Sequence, residues 1–324
     1  MNTKQAQELQ GALDAIRRRT INNIYFVACG GSKAIFEPVQ YICDVESEKP
    51  SAVYTSNEFN YRQPKALGET SLVITCSHSG NTPETIDATK KAREAGALTI
   101  CLSFKPESEL WLAAEYGISY TWGPDSKPSQ TNSPMLFRLV FGLLNILKPN
   151  EKYDRAMMEL ELLDDVVARN KATTLPAAKA YGIAYKREPL IYTMSSGECY
   201  GVAYSFAICL LMEMLWINSQ SIHSGEYFHG PFEITDYDVP FIIILNSGKT
   251  RFLDERALDF ARKYSDRVEV IDTASFDMHE ISEDLRGYLA PLIAGVVLRQ
   301  YADALAYHRG HPLSVRRYMW QMPY

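Results

Sequence analysis

Short apolar runs alternate with stretches whose apolar residues recur at helical spacing from residue 20 onward. This alternation indicates parallel strands joined by helices, because a strand that is covered on both faces is apolar throughout. In the first half, helices are predicted to begin near Ser32, Pro83 and Glu107. Strands are predicted over Asn23 to Cys29, Ser51 to Tyr54, Leu72 to Cys76, Ala97 to Phe104 and Gly117 to Trp122.

The same alternation restarts at Pro189, after a polar connecting region. Glu151 to Arg187 predicts two helices broken at Pro176, because proline removes a backbone donor. We therefore predict one domain over residues 1–170, a second over 171–310 and a C-terminal tail over 311–324. The second domain is predicted to contain strands over Leu190 to Met194, Val239 to Leu245 and Val268 to Ile271, and helices over 200–217, 253–264 and 290–307.

Two segments of the first half recur in the second half in the same order. VITCSHSGNT (73–82) matches FIIILNSGKT (241–250), and YFVACGG (25–31) matches IYTMSSG (191–197). The two offsets, 168 and 166 residues, are nearly equal, which indicates a duplicated unit. The predicted fold is α/β, with two tandem domains that each contain a doubly wound parallel sheet flanked by helices.

The composition is that of a globular protein, with 46% hydrophobic and 22% charged residues. Because 33 Lys and Arg stand against 39 Asp and Glu, no positive field attracts nucleic acid, which is not an expected partner. The longest apolar run, Phe206 to Ile217, is too short to span a membrane and contains Glu213, so no membrane is expected either. Six cysteines without a CxxC pair, and an N-terminus without signal-peptide character, predict reduced thiols in a cytoplasmic protein.

A loop with three hydroxyl groups follows the third predicted strand. TCSHSGNTPET (75–85) contributes Ser77, Ser79 and Thr82, and Gly80 lets a ligand approach the backbone closely. The free N–H groups and the positive dipole end of the following helix favour an anion. The loop therefore predicts a phosphate site without a lysine. In the alternative interpretation, its hydroxyls only cap the helix.

The turn ACGGSK (28–33) joins the first predicted strand to the helix that begins near Ser32. Its spacing matches neither GxGxxG nor GxxxxGK[ST], so it predicts neither a dinucleotide site nor a nucleotide P-loop. A compact sugar phosphate fits this turn better. The alternative is a turn that packing alone requires.

Glu213 is the one charged residue between Glu198 and His223, within an apolar helical segment. Apolar surroundings disfavour a carboxylate and make it a stronger base than an exposed one. We predict a general base at this position. A structural glutamate paired with a buried donor is the alternative.

His229 lies sixteen residues after Glu213 and directly precedes a Gly–Pro turn. An imidazole can donate or accept a proton near neutral pH, so this residue is a candidate acid or base. His223 lies close by in sequence and has either a structural or a functional role. A zinc site of His223 and His229 is conceivable, but their spacing matches no usual ligand pattern, and we predict no metal.

Together these motifs resemble those of the tandem sugar-isomerase (SIS) domain family. The ordered set is ACGxS (28–32), SNEFNYR (56–62), SHSGNT (77–82), Glu213 and His229. It covers both predicted domains. The resemblance is to the isomerase half of glucosamine-6-phosphate synthase and, more closely, to the fructosamine-6-phosphate deglycases.

The resemblance implies a role for each matched position. It assigns the general base to Glu213, ring opening or acid catalysis to His229, and phosphate binding to Ser77, Ser79 and Thr82, with Ser32 nearby. In SIS dimers this histidine serves the neighbouring subunit, which implies a homodimer with its active site at the subunit interface. Further substrate contacts are expected from His78, Asn81, His223 and Arg316, with Lys249 and Arg317 as further candidates for the charged amino-acid end.

Two departures from the synthase narrow the implied function. The synthase carries an N-terminal glutaminase domain with a terminal cysteine nucleophile, whereas the first cysteine here is Cys29. The place of its catalytic lysine corresponds to about Val315, beside Arg316 and Arg317. The resemblance therefore implies neither glutamine-dependent synthesis nor a lysine Schiff base. The segment RRYMW (316–320) instead resembles the tail of the deglycases.

The implied activity is cleavage of a fructosamine 6-phosphate, such as fructoselysine 6-phosphate or fructose-aspartate 6-phosphate, to glucose 6-phosphate and the free amino acid. Reversal of an Amadori rearrangement by acids and bases needs no cofactor. One alternative is an isomerase or deaminase that acts on glucosamine 6-phosphate or another phosphosugar. A second is a sugar-phosphate sensor, since SIS domains also occur fused to DNA-binding domains. The segment before Asn23 is, however, too short for a helix-turn-helix.

Overall fold

The computed structural model describes residues 1–322, and the chain divides into two compact units. The first unit covers Met1–Asp164 and the second begins at Asp165. The elements of the first unit, in chain order, are α1 (Thr3–Arg17), β1 (Asn23–Ala28), α2 (Gly30–Ala34), α3 (Phe36–Glu46), β2 (Ser51–Thr55), α4 (Ser56–Arg62), β3 (Ser71–Ser77), α5 (Pro83–Glu94), β4 (Leu98–Ser103), α6 (Glu109–Ala113), β5 (Tyr116–Ser119), α7 (Asn132–Leu147) and α8 (Glu151–Glu159).

The strands of the first unit form one parallel sheet in the order β2-β1-β3-β4-β5. This order confirms the predicted doubly wound sheet, whose topological switch point lies between β1 and β3. β3 is buried along its whole length, as expected of a strand covered on both faces. Ala28 at the end of β1 pairs with Cys76 near the end of β3. The two loops that follow these strands therefore leave the same edge of the sheet side by side.

The second unit has four strands, β6 (Tyr192–Ser195), β7 (Ser221–His223), β8 (Phe241–Leu245) and β9 (Val268–Asp272). They form a parallel sheet in the order β7-β6-β8-β9. This is the order of the first four strands of the other sheet, which agrees with a duplicated unit. β7 corresponds to no predicted strand, because three residues are too few to show a pattern of strand residues. The other elements are α9 (Leu163–Tyr185), which starts in the first unit, α10 (Tyr200–Ser205), a π-helix (Phe206–Met214), α11 (Arg251–Tyr264) and α12 (Glu283–Arg309).

The predicted helix break at Pro176 is wrong, because this proline lies inside α9. The interruption falls instead between Glu159 and Leu163. A proline costs the helix one backbone hydrogen bond, but packing beyond it holds α9 together. The ring of Tyr181 lies 5.1 Å from that of Tyr301 on α12, centroid to centroid. Tertiary contacts thus outweigh the local propensity.

Helix α12 is long and apolar enough to cross a membrane by length and composition alone. Within its most apolar window, 67% of the residues are buried inside the structure. A core helix has the same composition, because it is covered on most sides by other elements. All six cysteines are free thiols, and five of them are buried, the exception being Cys29.

Candidate active site

The loop after β3 brings three hydroxyl groups together at the start of α5. Ser77 Oγ lies 2.7 Å from Thr82 Oγ1 and 3.5 Å from Ser79 Oγ. Thr82 is the N-cap residue of α5, but its side chain makes no capping hydrogen bond. The hydroxyls of Ser77 and Ser79 accept the N–H groups of Gly80 and Asn81 at 3.2 and 3.1 Å. The interpretation as mere helix caps therefore fails for Thr82, whereas the two serines do bind the backbone of their own loop.

Gly80 fixes the shape of this loop. Its φ of +70° lies in the left-handed region, and a Cβ at this position would lie 2.0 Å from Ser108 Oγ. Its carbonyl oxygen accepts the N–H of Leu110 on α6 at 2.8 Å. Any larger residue would push the loop away from α6. The hydroxyls of Ser77, Ser79 and Thr82 thus lie together at the N-terminus of α5, and we call this polar surface the cup.

Ser32 lies beside the cup, on the turn that follows β1. Burial raises the pKa of the Cys76 thiol to about 12, and a hydrogen bond with Ser32 works against that rise. Cys76 directly precedes Ser77, so Ser32 sits at the topological switch point together with the cup. An oxyanion bound here would meet hydroxyl donors and the positive end of α5. Phosphate binding at this place stays a prediction.

Glu213 lies in the π-helix, near its C-terminal end. The i→i+5 spacing appears in the bond from the N–H of Leu215 to the carbonyl oxygen of Leu210, at 3.1 Å. The side chain of Glu213 is 25% exposed, and that of its ion-pair partner, Arg316, is 7% exposed. The Arg316 guanidinium donates from Nε at 3.0 Å and approaches with Nη2 at 2.8 Å, both to Oε1. The carboxylate therefore has a buried cationic partner, which is the pairing described by the alternative of a structural glutamate with a buried donor.

The C-terminal tail reaches Glu213 because it packs against the end of the π-helix. His311 meets the Trp216 ring edge-on at 4.5 Å between centroids, and Arg317 lies 4.4 Å from the centre of the same ring. Arg316 also donates to the carbonyl oxygens of Leu313 and Val315 at 2.7 and 2.9 Å. The predicted tail segment extends to residue 324, and its last two residues lie outside the described ones. Arg316, predicted to contact substrate, is placed here on the candidate base.

The two candidate histidines have different surroundings. His229 ends a 3-10 turn before Gly230, whose φ is +135°, and it is exposed. His223 ends β7, where its Nδ1 accepts the N–H of Gly225 at 3.1 Å and its ring lies 5.0 Å from that of Tyr200. Over residues 1–322, no three His, Cys, Asp or Glu side chains are grouped to hold a metal ion. His229 is thus the histidine with its ring open to solvent.

Comparison with known proteins places these residues in a family. The SIS domain family model matches residues 19–140. Fructosamine deglycase FrlB of Bacillus subtilis (strain 168) is 50% identical to this chain over 98% of it and 97% of the relative. The chain belongs to the SIS domain family. Fructoselysine 6-phosphate deglycase of Escherichia coli (strain K12) is 30% identical, over 93% of this chain and 86% of that protein.

A solved structure of a SIS relative has the same fold throughout. The crystal structure of a Bacillus subtilis protein described as a phosphosugar isomerase superposes with a TM-score of 0.96, at 50% identity, and covers 100% of both chains. The family resemblance derived from the motifs is therefore confirmed. This SIS protein is a phosphosugar isomerase or deglycase in the broad sense of its relatives.

The second unit has a sequence counterpart of the cup, and a buried glutamate lies against it. By the repeat offsets, Gly248 corresponds to Gly80 and Glu198 corresponds to Ser32. Glu198 is fully buried, and a Cβ on Gly248 would lie 2.3 Å from its Oε1. Burial raises the pKa of Glu198 to about 7, its own N–H and that of Gly248 lower it, and the carboxylate of Asp254 raises it further. A carboxyl group of the chain itself thus lies against the turn at Gly248.

Sequence reasoning missed two features, one in each unit. Glu198 lies in no motif, and only the repeat offset, continued one residue past the matched segment, places it opposite Ser32. Three aromatic side chains, Phe104, Tyr120 and Trp122, also gather around His78, next to the cup. His78 follows β3, Phe104 follows β4, and Tyr120 and Trp122 follow β5, so no local spacing in the sequence joins all of them. The strand order β3-β4-β5 was the signal that could have found them.

Proposed function

We propose that this SIS protein is a fructosamine-6-phosphate deglycase that releases glucose 6-phosphate and a free amino acid. The observation that carries the proposal is the anchored carboxylate of Glu213. Arg316 binds its Oε1, and among the described residues its Oε2 accepts no hydrogen bond. A carboxylate fixed through one oxygen can accept a proton with the other. The names of the relatives at 50% and 30% identity support the same substrate class.

The cup supplies the binding energy in this proposal. Ser77, Ser79 and Thr82, with Ser32 nearby and the N-terminus of α5, hold the 6-phosphate group. That group is remote from the reacting carbons, so its binding energy can be used to orient C1 against the base. His78 and Asn81 lie within the same loop and are proposed as contacts of the sugar or its substituent.

The reaction is a reversal of the Amadori rearrangement. The C2 carbonyl of the open-chain substrate acidifies the C1–H bonds, and Glu213 removes one of these protons to give an enaminol. Return of a proton to C2 gives an aldimine between C1 and the nitrogen of the amino acid. Water adds to C1 and the C1–N bond breaks, which yields glucose 6-phosphate and the free amine. No electron donor or acceptor enters this sequence.

His229 is proposed to open the sugar ring before this step. Its exposed imidazole can move a proton between the ring oxygen and the anomeric hydroxyl near neutral pH. We propose that it serves a second copy of the chain, so that the working enzyme is a homodimer. An exposed histidine on a rigid Gly–Pro turn is suited to act on a neighbouring subunit.

Product analysis tests the proposal. The protein is incubated with fructoselysine 6-phosphate, fructose-aspartate 6-phosphate and glucosamine 6-phosphate, and glucose 6-phosphate and ammonia are measured. Release of glucose 6-phosphate from a fructosamine phosphate, lost in Glu213→Gln, supports the deglycase. Ammonia from glucosamine 6-phosphate, with no turnover of the fructosamine phosphates, would favour the deaminase instead. Glu255→Gln on the exposed face of α11 is the matched control and should retain activity.

A further inference from the structure

Four aromatic rings gather beside the cup, at the carboxyl edge of the first sheet. His78, Phe104 and Tyr120 directly follow β3, β4 and β5, and Trp122 lies two residues further on. The rings of His78 and Phe104 stack at 5.2 Å, and Trp122 meets His78 edge-on at 4.9 Å. Tyr120 Oη lies 3.1 Å from His78 Nδ1. We call these four residues the aromatic wall.

The aromatic wall borders a cavity of ≈ 510 Å³, within the size range of small-ligand sites. Phe104, Tyr120 and Trp122 line one part of it, and the loop 121–130 lines the rest. That loop is closed on itself, since the N–H of Thr121 donates to the carbonyl oxygen of Gln130 at 2.9 Å. The cavity is thus a formed feature of the first unit.

Trp122 is 55% exposed, although an indole ring is usually mostly covered. It contacts His78, the residue that separates Ser77 from Ser79, and therefore lies next to the cup. An exposed aromatic surface beside a polar anion site points to a ligand with an apolar part next to its phosphate.

The distances match one ligand of the proposed reaction. Neighbouring strands lie about 4.8 Å apart, so the end of β5 is roughly 10 Å from the end of β3, two strands away. An extended chain advances roughly 3.5 Å for every three bonds, so C1 of an open-chain hexose lies roughly 8 Å from its 6-phosphorus. A substituent on C1 therefore falls at the cavity when the phosphate is in the cup and the sugar extends along the sheet edge.

We infer that the cavity behind the aromatic wall binds the amino-acid part of the substrate, and that it prefers amino acids with an apolar or aromatic side chain. The inference rests on the proposed function. Flat rings bury apolar groups and stack with aromatic ones. Lys127 lines the cavity and Lys105 adjoins His78, against one acidic lining residue, Asp125. This balance suits the carboxylate that every free amino-acid product carries.

Binding to the full-length Glu213→Gln variant tests the inference without turnover. The ligands are fructosyl-phenylalanine 6-phosphate, fructosyl-glycine 6-phosphate and fructose 6-phosphate, measured by calorimetry. The phenylalanine ligand should bind about tenfold or more tightly than the glycine ligand, because it buries an aromatic side chain. Adding Trp122→Ala should reduce that preference to about twofold or less, whereas Trp122→Phe should retain most of it.

Controls distinguish a failure of this inference from a failure of the proposed deglycase function. Tyr61→Ala removes another exposed aromatic side chain of the first unit, 85% exposed, and should leave the preference unchanged. Equal affinities of the two fructosyl amino acids, or an equal loss for all three ligands in Trp122→Ala, would overturn the assignment. If the wild-type protein turns over neither fructosyl compound, the deglycase proposal fails, and the affinity ratio still decides the role of the cavity.

Discussion

Arg316 holds Glu213 by a single oxygen, with Nε at 3.0 Å and Nη2 at 2.8 Å from the same Oε1. A symmetric fork, with one nitrogen on each oxygen, would occupy both acceptors. The observed arrangement fixes the plane of the carboxylate and leaves Oε2 to the substrate. Arg316 is therefore a positioning residue in the proposed mechanism, although the two residues are far apart in the chain.

Arg316→Met is expected to lower kcat about tenfold or more, because an unanchored carboxylate spends less time aligned with C1–H. The inhibition constant of fructose 6-phosphate, which depends on the cup, should change little. Arg316→Lys should restore part of the activity, and added guanidinium should rescue Arg316→Ala. Equal activity of Arg316→Met and wild type would contradict a positioning role.

Loss of the cup hydroxyls should change KM more than kcat, unlike loss of Arg316. Ser79→Ala with Thr82→Ala removes two hydroxyl donors to a charged ligand, so KM should rise about tenfold or more while kcat falls less. Initial-rate kinetics across substrate concentrations give both constants. Thr173→Ala is the control, because that hydroxyl only bonds the backbone of its own helix, to Arg169 at 3.0 Å. An unchanged KM would mean that the loop hydroxyls serve only their own backbone.

The proposed dimer can be tested by mixing two inactive variants. Glu213→Gln and His229→Asn are each expected to lose nearly all turnover. If His229 acts on the neighbouring subunit, each mixed dimer has one intact pair, and random mixing restores about a quarter of wild-type activity. Unfolding and refolding the two variants together, with each refolded alone as the control, provides the measurement. No recovery in a sample that contains mixed dimers would place the pair within one chain.

Glu198 predicts a pH dependence of stability. In the folded protein, Glu198 keeps its proton up to its pKa of about 7, whereas the ordinary pKa of a glutamate is 4.5. Because the unfolded chain releases this proton at a lower pH than the folded protein does, the free energy of unfolding falls as the pH rises from 4.5 towards 7. Glu198→Gln should remove that loss, a gain of about 3 kcal/mol above pH 7.

Urea unfolding at a series of pH values measures this effect. The buried Asp254, whose pKa is also raised, keeps part of the slope in the variant. Glu255→Gln, on the exposed face of α11, should reproduce the wild-type curve. A wild-type free energy of unfolding that does not fall between pH 5 and pH 8 would argue against a proton on Glu198.

Features carried by neighbouring residues were predictable from the sequence. The apolar strands, the Ser77–Thr82 loop before α5 and the isolated charge of Glu213 each depend on local order. The parallel, doubly wound sheets followed from the alternation of strands and helices. The catalytic and binding roles of the loop and of Glu213 stay predictions. The domain boundaries proposed from composition stay predictions as well.

Contacts between distant residues were not predictable in this way. Arg316 meets Glu213 across 103 positions of sequence, and His78 meets Tyr120 across 42. At Pro176 the local sequence predicted a helix break that does not occur, because the packing of Tyr181 against Tyr301 overcomes the tendency of proline to end a helix. Such pairs depend on the tertiary fold, which no periodic pattern encodes.

Because Glu213 lies in a π-helix, the direction of its side chain depends on the number of residues in that segment. A π-helical turn holds more residues than an α-helical turn, so the nine residues Phe206–Met214 present their side chains at angles that an α-helix would not. Deleting one residue ahead of Glu213 would restore α-helical spacing and swing the carboxylate by about 100° around the axis, away from Arg316. Substitutions among its apolar side chains change only packing. This segment should therefore evolve by exchanging residues while keeping their number.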